Sequence, residues 1–327
     1  MRSAPGDSMD FLQIIAKRLV GLVVIVTIAT FLLSLLTWLL PGDAAEVIAG
    51  GAAPQVIESI RQDLSLDKGV FGYYWNWYTG LLTGDFGRYY LAGGYREVSE
   101  VVRQTLPVSL QMLIYAQIVS LSLAVPLGLV SAYKENSRFD RIVSSTLFTM
   151  VSFPSFALAL IMSLVFAVQL EWVDPIGYVA PSDNLLEHLK LMILPVISIS
   201  VGLTSSYTRL LRNDVIQTLK EDYVTMAASK GISDRRILFR HVFRPSSTTL
   251  LTSAALNMGG LIGGTIVIET IFVIPGIGYE IFYAIGSRQL VAMQTLIALI
   301  ATFYVFFNTT VDLITQVVDP RTRERRV

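Results

Sequence analysis

The chain has 327 residues, 53% of them hydrophobic and only 15% charged, and its 25 Lys and Arg balance 25 Asp and Glu. A soluble domain carries about 25% charged residues, so the composition argues against one, and the neutral balance gives no reason to expect a polyanionic partner. The absence of cysteine excludes disulfides, thiolate metal sites and cysteine nucleophiles, and two histidines far apart in the chain, His188 and His241, give no basis for a His-rich metal site.

The expected fold is an all-α integral membrane protein with six transmembrane helices, because six runs approach or exceed the 18 or so apolar residues a spanning helix needs. Lys17 and Arg18 close an N-terminal segment, 1–18, and resemble the start of a signal peptide. A signal h-region spans only about 7–15 residues, so the longer run 19–40 reads as an uncleaved first span. Segment 41–103 follows. In it Val56, Ile57, Ile60 and Leu64 stand at helical spacing, and FGYYWNWYTGLLTGDFGRYY is dense in aromatics, residues that favour the membrane–water interface. It reads as an interfacial cap and, compatibly, as a docking surface for an outside partner.

Span two covers 104–133, span three 142–170 and span four 191–208, with a short loop at 134–141 and a longer one at 171–190. They carry Pro126, Pro154 and Pro195, and a proline inside a helix removes a hydrogen bond and kinks it. Gln111 and Gln117 in span two, Asn257 in span five and Asn308 in span six are either pathway groups or interhelical hydrogen bonds, with packing favoured for most. Span five, 245–270, contains NMGGLIGGTIVIE, in which Gly259 with Gly263 and Gly260 with Gly264 form overlapping GxxxG pairs suited to close helix packing, with a gating hinge as the lesser alternative. Glu269 in span five and Asp312 in span six, 289–316, lie near interfaces, where snorkelling or capping explains an ionisable group better than a proton relay does. Segment 271–288 joins these spans, and 317–327 is a tail.

Of the 25 Lys and Arg, 18 fall in 1–18, 134–141, 209–244 and 317–327. The positive-inside rule therefore puts both termini and 209–244 in the cytoplasm, and 41–103 outside.

Loop 209–244 is polar between apolar runs. Thr218 and Glu221 have the spacing of a capping box, residues 219–230 lack Gly and Pro, and Gly231 suits the left-handed position that ends a helix. Ser233 is placed to cap a second, basic helix bearing Arg235, Arg236, Arg240 and Arg244. The first helix is expected to expose Tyr223, Met226 and Ala227, with Ala227 and Ala228 keeping the corner slim enough to enter a groove of another protein. An amphipathic linker on anionic lipid is the plainer reading. A DNA-binding helix-turn-helix is excluded by the spans tied to both ends.

YTRLLRNDVIQTLKEDYVTMAASKG, ending at Gly231, resembles the EAA loop of bacterial ABC-importer permeases of the dipeptide/oligopeptide/nickel family. LTGDFGRYY at 82–90, LPVSLQMLIYAQIVSLSLAVPLGLVSAY at 106–133, IETIFVIPGIGYEIFYAIGSRQL at 268–290 and VDPR at 318–321 resemble further parts of the B-type subunit, so the likeness runs from about residue 11 to residue 321. The generic E-A-A-x3-G-x9-I-x-L-P pattern is departed from: Thr225, Met226 and Ala227 fall on its Glu-Ala-Ala, His241 on its Ile, and Pro245 one place late. The resemblance implies the type I importer fold, a second permease, usually unlike, two cytoplasmic ATPases or one fused ATPase, and an outside substrate-binding protein that delivers a peptide. It implies that Glu221, Asp222, Tyr223, Met226, Ala227, Ala228, Gly231, Arg235 and Arg236 couple to an ATPase. It implies too that Asp85, Phe86, Arg88, Pro275, Gly276, Tyr279 and Glu280 face the docked binding protein. No Gly-Lys dipeptide exists for a G-x-x-x-x-G-K-[ST] phosphate loop, so ATP and Mg are expected on partner subunits, this chain is expected to bind no cofactor, and it is expected to be no enzyme. The alternatives fare worse: an ion-coupled secondary carrier lacks coupling groups and an internal repeat, and a membrane hydrolase lacks a histidine–carboxylate cluster.

Overall fold

The computed structural model describes the backbone of residues 5–91 and 94–318, with side chains over 16–91, 94–261 and 263–311. Arg2, the arginines of the tail after 318 and the side chain of Asp312 lie outside the described residues. Among those described, four helices are long and apolar enough to cross a membrane, at Ala16–Trp38, Val98–Tyr133, Leu185–Leu219 and Leu290–Val311. Two bent pairs, Arg138–Val151 with Ser155–Gln169 and Asp234–Leu261 with Ile266–Phe272, raise the number to six if each pair is one span. The first pair is bent by 97° at the Ser152–Pro154 break, with Pro154 at the N-cap of the second arm. Pro195 instead sits inside an unbroken helix.

The chain divides into two compact units, one from the chain up to Ser109 with Pro275–Leu313, the other from Leu110–Ile274. In the first unit α1 (Pro5–Trp38) is followed by short α2 (Ala44–Ala49) and α3 (Pro54–Asp63), then the aromatic α4 (Gly69–Thr83) and a hairpin of β1 (Arg88–Leu91) and β2 (Gly94–Glu97). The unit also holds the start of α5 (Val98–Tyr133), then α13 (Ile277–Gly286) and α14 (Leu290–Val318). Asp43 starts α2 by accepting the Ala45 N–H at 2.9 Å. Val26, Tyr74, Trp77 and Ala298 pack α1, α4 and α14 together. Polar groups buried in that apolar seam are paired, as burial demands. Trp77 Nε1 donates to Thr295 Oγ1 at 3.0 Å, and the Gln294 amide bridges the Tyr73 hydroxyl and Ser34.

The second unit holds the rest of α5, then α6 (Arg138–Val151), α7 (Ser155–Met162) with a π-helical extension to Gln169, and α8 (Leu185–Leu219). After α8 come α9 (Asp222–Ser229), a single turn α10 (Asp234–Arg236), a π-helical stretch Ile237–Val242, α11 (Phe243–Gly264) and α12 (Ile266–Phe272). Caps set several starts. The Ser137 hydroxyl accepts the Asp140 N–H, and Asn184 accepts the Glu187 N–H, each at 3.2 Å. The core, with Ala124, Leu129, Tyr207, Leu211, Leu250 and Ala254, takes in residues from α5, α8, α9, the π stretch and α11.

Three local expectations are corrected here. Thr218 does not cap a helix. It lies in the last turn of α8, which runs unbroken from the span through the expected boundary at 208/209, and its hydroxyl is bonded to that of Ser246 at 3.0 Å. Glu221 is the N-cap of α9, without a side-chain cap bond. Ser233 occupies the N-cap of α10, but only its backbone carbonyl takes up a helix donor, the Ile237 N–H at 3.0 Å.

Candidate functional site

The region 222–242 forms a helical elbow with two unlike faces. It ends α9 by a Schellman arrangement: the Ile232 N–H donates to the Ala227 carbonyl at 3.3 Å and the Gly231 N–H to the Ala228 carbonyl at 2.9 Å. Gly231 takes a φ of 75°, a left-handed value that a residue with a Cβ adopts only at a cost. The turn thereby satisfies its own terminal carbonyls and needs no partner to hold its shape.

The inner face of the elbow is committed to the protein. Val224, Ala227 and Ile237 are buried in the core with Tyr207, Leu211 and Leu250. Full burial of a side chain the size of Val224 stabilises by about 2 kcal/mol. Ala227, expected on the outer surface, is only 7% exposed and packs inward with Val224. Ala227 stands one turn from both Tyr223 and Val224, so spacing alone does not assign its face; packing into the core with Tyr207, Leu211 and Leu250 does.

The outer face is free. Met226 is 57% exposed and Tyr223 46%, beside exposed Glu221, Asp222 and Ala228, and Phe239 is exposed next to Arg235, Arg236 and Arg240. Two bonds brace the elbow from outside its core: Tyr223 Oη donates to the His241 carbonyl at 3.3 Å and Tyr133 Oη to Asp234 at 2.7 Å. An exposed thioether and phenol on a rigid mount are the kind of adaptable apolar contact that partner surfaces use.

Where α5, α6 and α8 meet lies a charged knot that sequence reasoning missed. Asp140, almost wholly buried, accepts from Arg212 Nε at 2.7 Å and Nη2 at 2.8 Å, from Ser131 Oγ at 2.8 Å and from the Asn136 N–H at 3.0 Å. It ties the end of α5, the start of α6 and α8 together. No local pattern joins residues 72 positions apart; the one hint was an acidic residue among the basic residues of the 134–141 loop.

The second group of expected site residues lies in the first unit. Asp85 is exposed and accepts the Gly87 N–H at 2.9 Å, the Phe86 carbonyl takes a bond from Thr295 Oγ1 at 3.0 Å, and Arg88 holds Asp63 at 2.8 Å while lying over the Tyr95 ring. That pairing with Asp63 keeps the Arg88 guanidinium above its ordinary pKa. The Gln289 side chain acts as an extra strand beside β1, donating to the Tyr90 carbonyl at 2.8 Å and accepting the Tyr90 N–H at 2.9 Å. Pro275 is exposed, Gly276 is the N-cap of α13, and Tyr279 and Glu280 are half-buried on it. Burial pushes the Tyr89 hydroxyl up to about 12, with the Glu280 charge adding to it, and burial likewise raises the Glu280 carboxyl against the pull of Arg96. Tyr89 of the hairpin and Ala284 of α13 share one apolar cluster, which sets the two elements side by side.

The remaining candidates divide. Gln117 and Asn257 belong to a buried relay: Tyr207 Oη donates to Gln117 Oε1 at 3.1 Å and receives Asn257 Nδ2 at 3.2 Å, and Gln117 Nε2 donates to the Ala254 carbonyl. Gln111 accepts from Tyr178 Oη at 3.2 Å. Gln117 and Asn257 thus serve as interhelical bonds, and Gln111 ties α5 to the segment that precedes α8. Asn308 is half-buried on α14. Of these four glycines, Gly259 is buried and Gly260, Gly263 and Gly264 are exposed, with no described atom within 4 Å of where a Cβ would stand, so no close helix contact among the described residues uses them. Glu269 does not snorkel: it is fully buried on α12 and receives Thr265 Oγ1 at 3.1 Å.

Residues 124–324 match the family of binding-protein-dependent transport system inner membrane components, and 11–94 match the N-terminal region described for the same systems. The chain belongs to that family. A putative peptide transport system permease protein of Brucella abortus (strain 2308) is 34% identical over 311 residues, covering 95% of this chain and 98% of the relative. The glutathione transport system permease protein of Salmonella typhimurium is 31% identical over 313 residues, covering 95% and 99%. Among solved structures, the methionine ABC transporter in an inward-facing conformation shares the fold, with a TM-score of 0.56 at 16% identity over 68% of this chain and 97% of that one. The chain is therefore a multi-pass permease of the inner membrane, a pore component of an ABC transporter that works with an ATPase and a substrate-binding protein.

Proposed function

We propose that this permease forms half of the pore of an ATP-driven peptide importer, paired with an unlike second permease, with both termini in the cytoplasm. The elbow takes an ATPase groove on its outer face and passes the motion to the spans through its inner face. ATP and Mg sit on the ATPase subunits, and this chain binds no cofactor and catalyses no reaction. The surface of Asp85, Phe86, Arg88, Pro275, Gly276, Tyr279 and Glu280 receives the loaded binding protein. Peptide as cargo is supported by the names of the relatives at 34% and 31% identity.

The observation that carries this reading is the two-faced elbow, with Met226 and Tyr223 bare and Val224, Ala227 and Ile237 sunk in the core of α5, α8 and α11. The chain has no cysteine, so single cysteines report cleanly. Met226→Cys, in the complex assembled with its ATPase, should cross-link to that subunit, while Ala227→Cys should not. Gly231→Pro should abolish ATP-dependent peptide uptake without preventing membrane insertion. Normal uptake in that variant, or an equal cross-link from both cysteines, overturns the coupling role.

A further inference from the structure

We propose that a groove between α6 and α8 binds one anionic phospholipid, its phosphate on Arg209 and an acyl chain along α6. The groove encloses about 280 Å³. One wall is apolar, made by Val143, Leu147, Phe148 and Val151 of α6, and its outer edge is open, since Phe148 is 73% exposed. The other wall is α8, where Thr208, Arg209 and Arg212 follow one another along the helix.

Three features of that polar wall point to an anion. Arg212 already gives its Nε and Nη2 to Asp140. Arg209, three residues earlier, is exposed and has no carboxylate within ion-pair distance among the described residues. Thr208, a lining residue of the groove, is 1% exposed, and its hydroxyl has no hydrogen-bond partner among the described residues. A buried hydroxyl without a partner is costly, and an acceptor oxygen held in the groove would draw the Thr208 side chain round to it. A lone guanidinium and an idle hydroxyl at the end of an apolar trough in a membrane-spanning region match a phosphodiester joined to an acyl chain. A protein segment is the competing occupant, and it would bring no anion by necessity.

The test places a reporter on the open wall. Phe148→Trp, in the full-length chain purified with its companion subunits, is reconstituted into vesicles containing brominated phosphatidylglycerol or brominated phosphatidylcholine. Its quenching is measured against the parent carrying only the native tryptophans. The anionic lipid is expected to be preferred about fivefold, the scale set by one guanidinium. Arg209→Gln should bring that ratio to one, Arg209→Lys should keep it, and Arg236→Gln, outside the groove, should leave it unchanged. Equal quenching by the two lipids, a ratio that survives Arg209→Gln, or a fall with Arg236→Gln overturns the proposal. Absence of quenching by either lipid also overturns it, and assigns the groove to a protein neighbour.

Discussion

Removing the Asp140 charge tests the knot that joins α5, α6 and α8. The Asp140 side chain is 5% exposed and that of Arg212 22%, so the pair is largely, not wholly, withdrawn from water. Asp140→Asn keeps the shape but changes the chemistry. The carboxylate takes two bonds from one guanidinium and one from the Asn136 N–H across its two oxygens. The amide has a single acceptor, and its NH2 must face either Arg212 Nε, in the place of Oδ1, or both Arg212 Nη2 and the Asn136 N–H, in the place of Oδ2, donor against donor. A buried pair broken from one side loses about 3–5 kcal/mol, mostly because the remaining charge is stranded.

Arg212 keeps some contact with solvent, which puts Asp140→Asn near the lower end, about 3 kcal/mol. Arg212→Gln leaves the more buried partner charged and should cost more, about 4–5 kcal/mol. The double variant should fall short of the sum by about 1–3 kcal/mol, and a joint Asp140→Leu, Arg212→Met replacement should recover most of the loss. Unfolding midpoints of the purified chain in detergent give all four values. The account fails if Asp140→Asn stays within about 0.5 kcal/mol of the parent, as a surface change would, or if the single losses simply add.

The two faces of the elbow should respond to different assays. Ala227→Leu forces a larger side chain into a filled core and should lower stability by about 1–3 kcal/mol. Met226→Ala should leave stability within about 0.5 kcal/mol yet weaken retention of the ATPase on co-purification; a stability loss from Met226→Ala or none from Ala227→Leu contradicts the assignment of faces. At Gly87, with a φ of 79°, an added Cβ would collide with Val291 Cγ1, so Gly87→Ala should destabilise by about 2–4 kcal/mol through overpacking and backbone strain, and Val291→Ala should recover part of it in a thermal melt. Glu280 titrates with the opposite sign to an ion-paired acid. Burial raises its pKa in the folded chain, so its ionised form opposes folding at neutral pH and the penalty lifts as the pH falls. Glu280→Gln should therefore unfold at a higher midpoint than the parent at neutral pH, and the gap should close as the pH approaches the ordinary glutamate value of 4.5; a gap that widens on acidification would count against burial as the cause.

Much of the architecture was legible because membranes impose coarse rules. Long apolar runs and the absence of charge locate the spans, and Gly231 marks a helix end because few other residues accept its backbone angles. What escaped was whatever depends on tertiary partners. The capping-box spacing at Thr218 was overridden because α8 continues past the apolar run, and Ser246 offers the hydroxyl a partner. The close glycine spacing of 259–264 is a rule about surfaces that meet, and three of its four members meet none of the described residues. Glu269 looked like an interfacial group by position, but α12 turns away by 63° from the preceding helix and is itself buried at that point. The Asp140–Arg212 pair has no sequence period at all.

The division of labour within the elbow follows from the energetics of its own turn. A helix of eight residues is too short to hold itself in water. Its shape must come either from a partner or from burial on its own protein. Here it comes from burial: the Schellman bonds close the C-terminal end, and Val224 and Ala227 fasten the inner stripe to the same core that holds Tyr207, Leu211 and Leu250. An ordering cost already met within the chain is not charged again on association, so contacts at Met226 and Tyr223 can go into affinity. The same rigidity makes the elbow a lever. Any displacement imposed on the outer stripe must either move α8 and α11 or tear Ala227 out of the core, and the Tyr207 relay to Gln117 and Asn257 extends that linkage into α5 and α11.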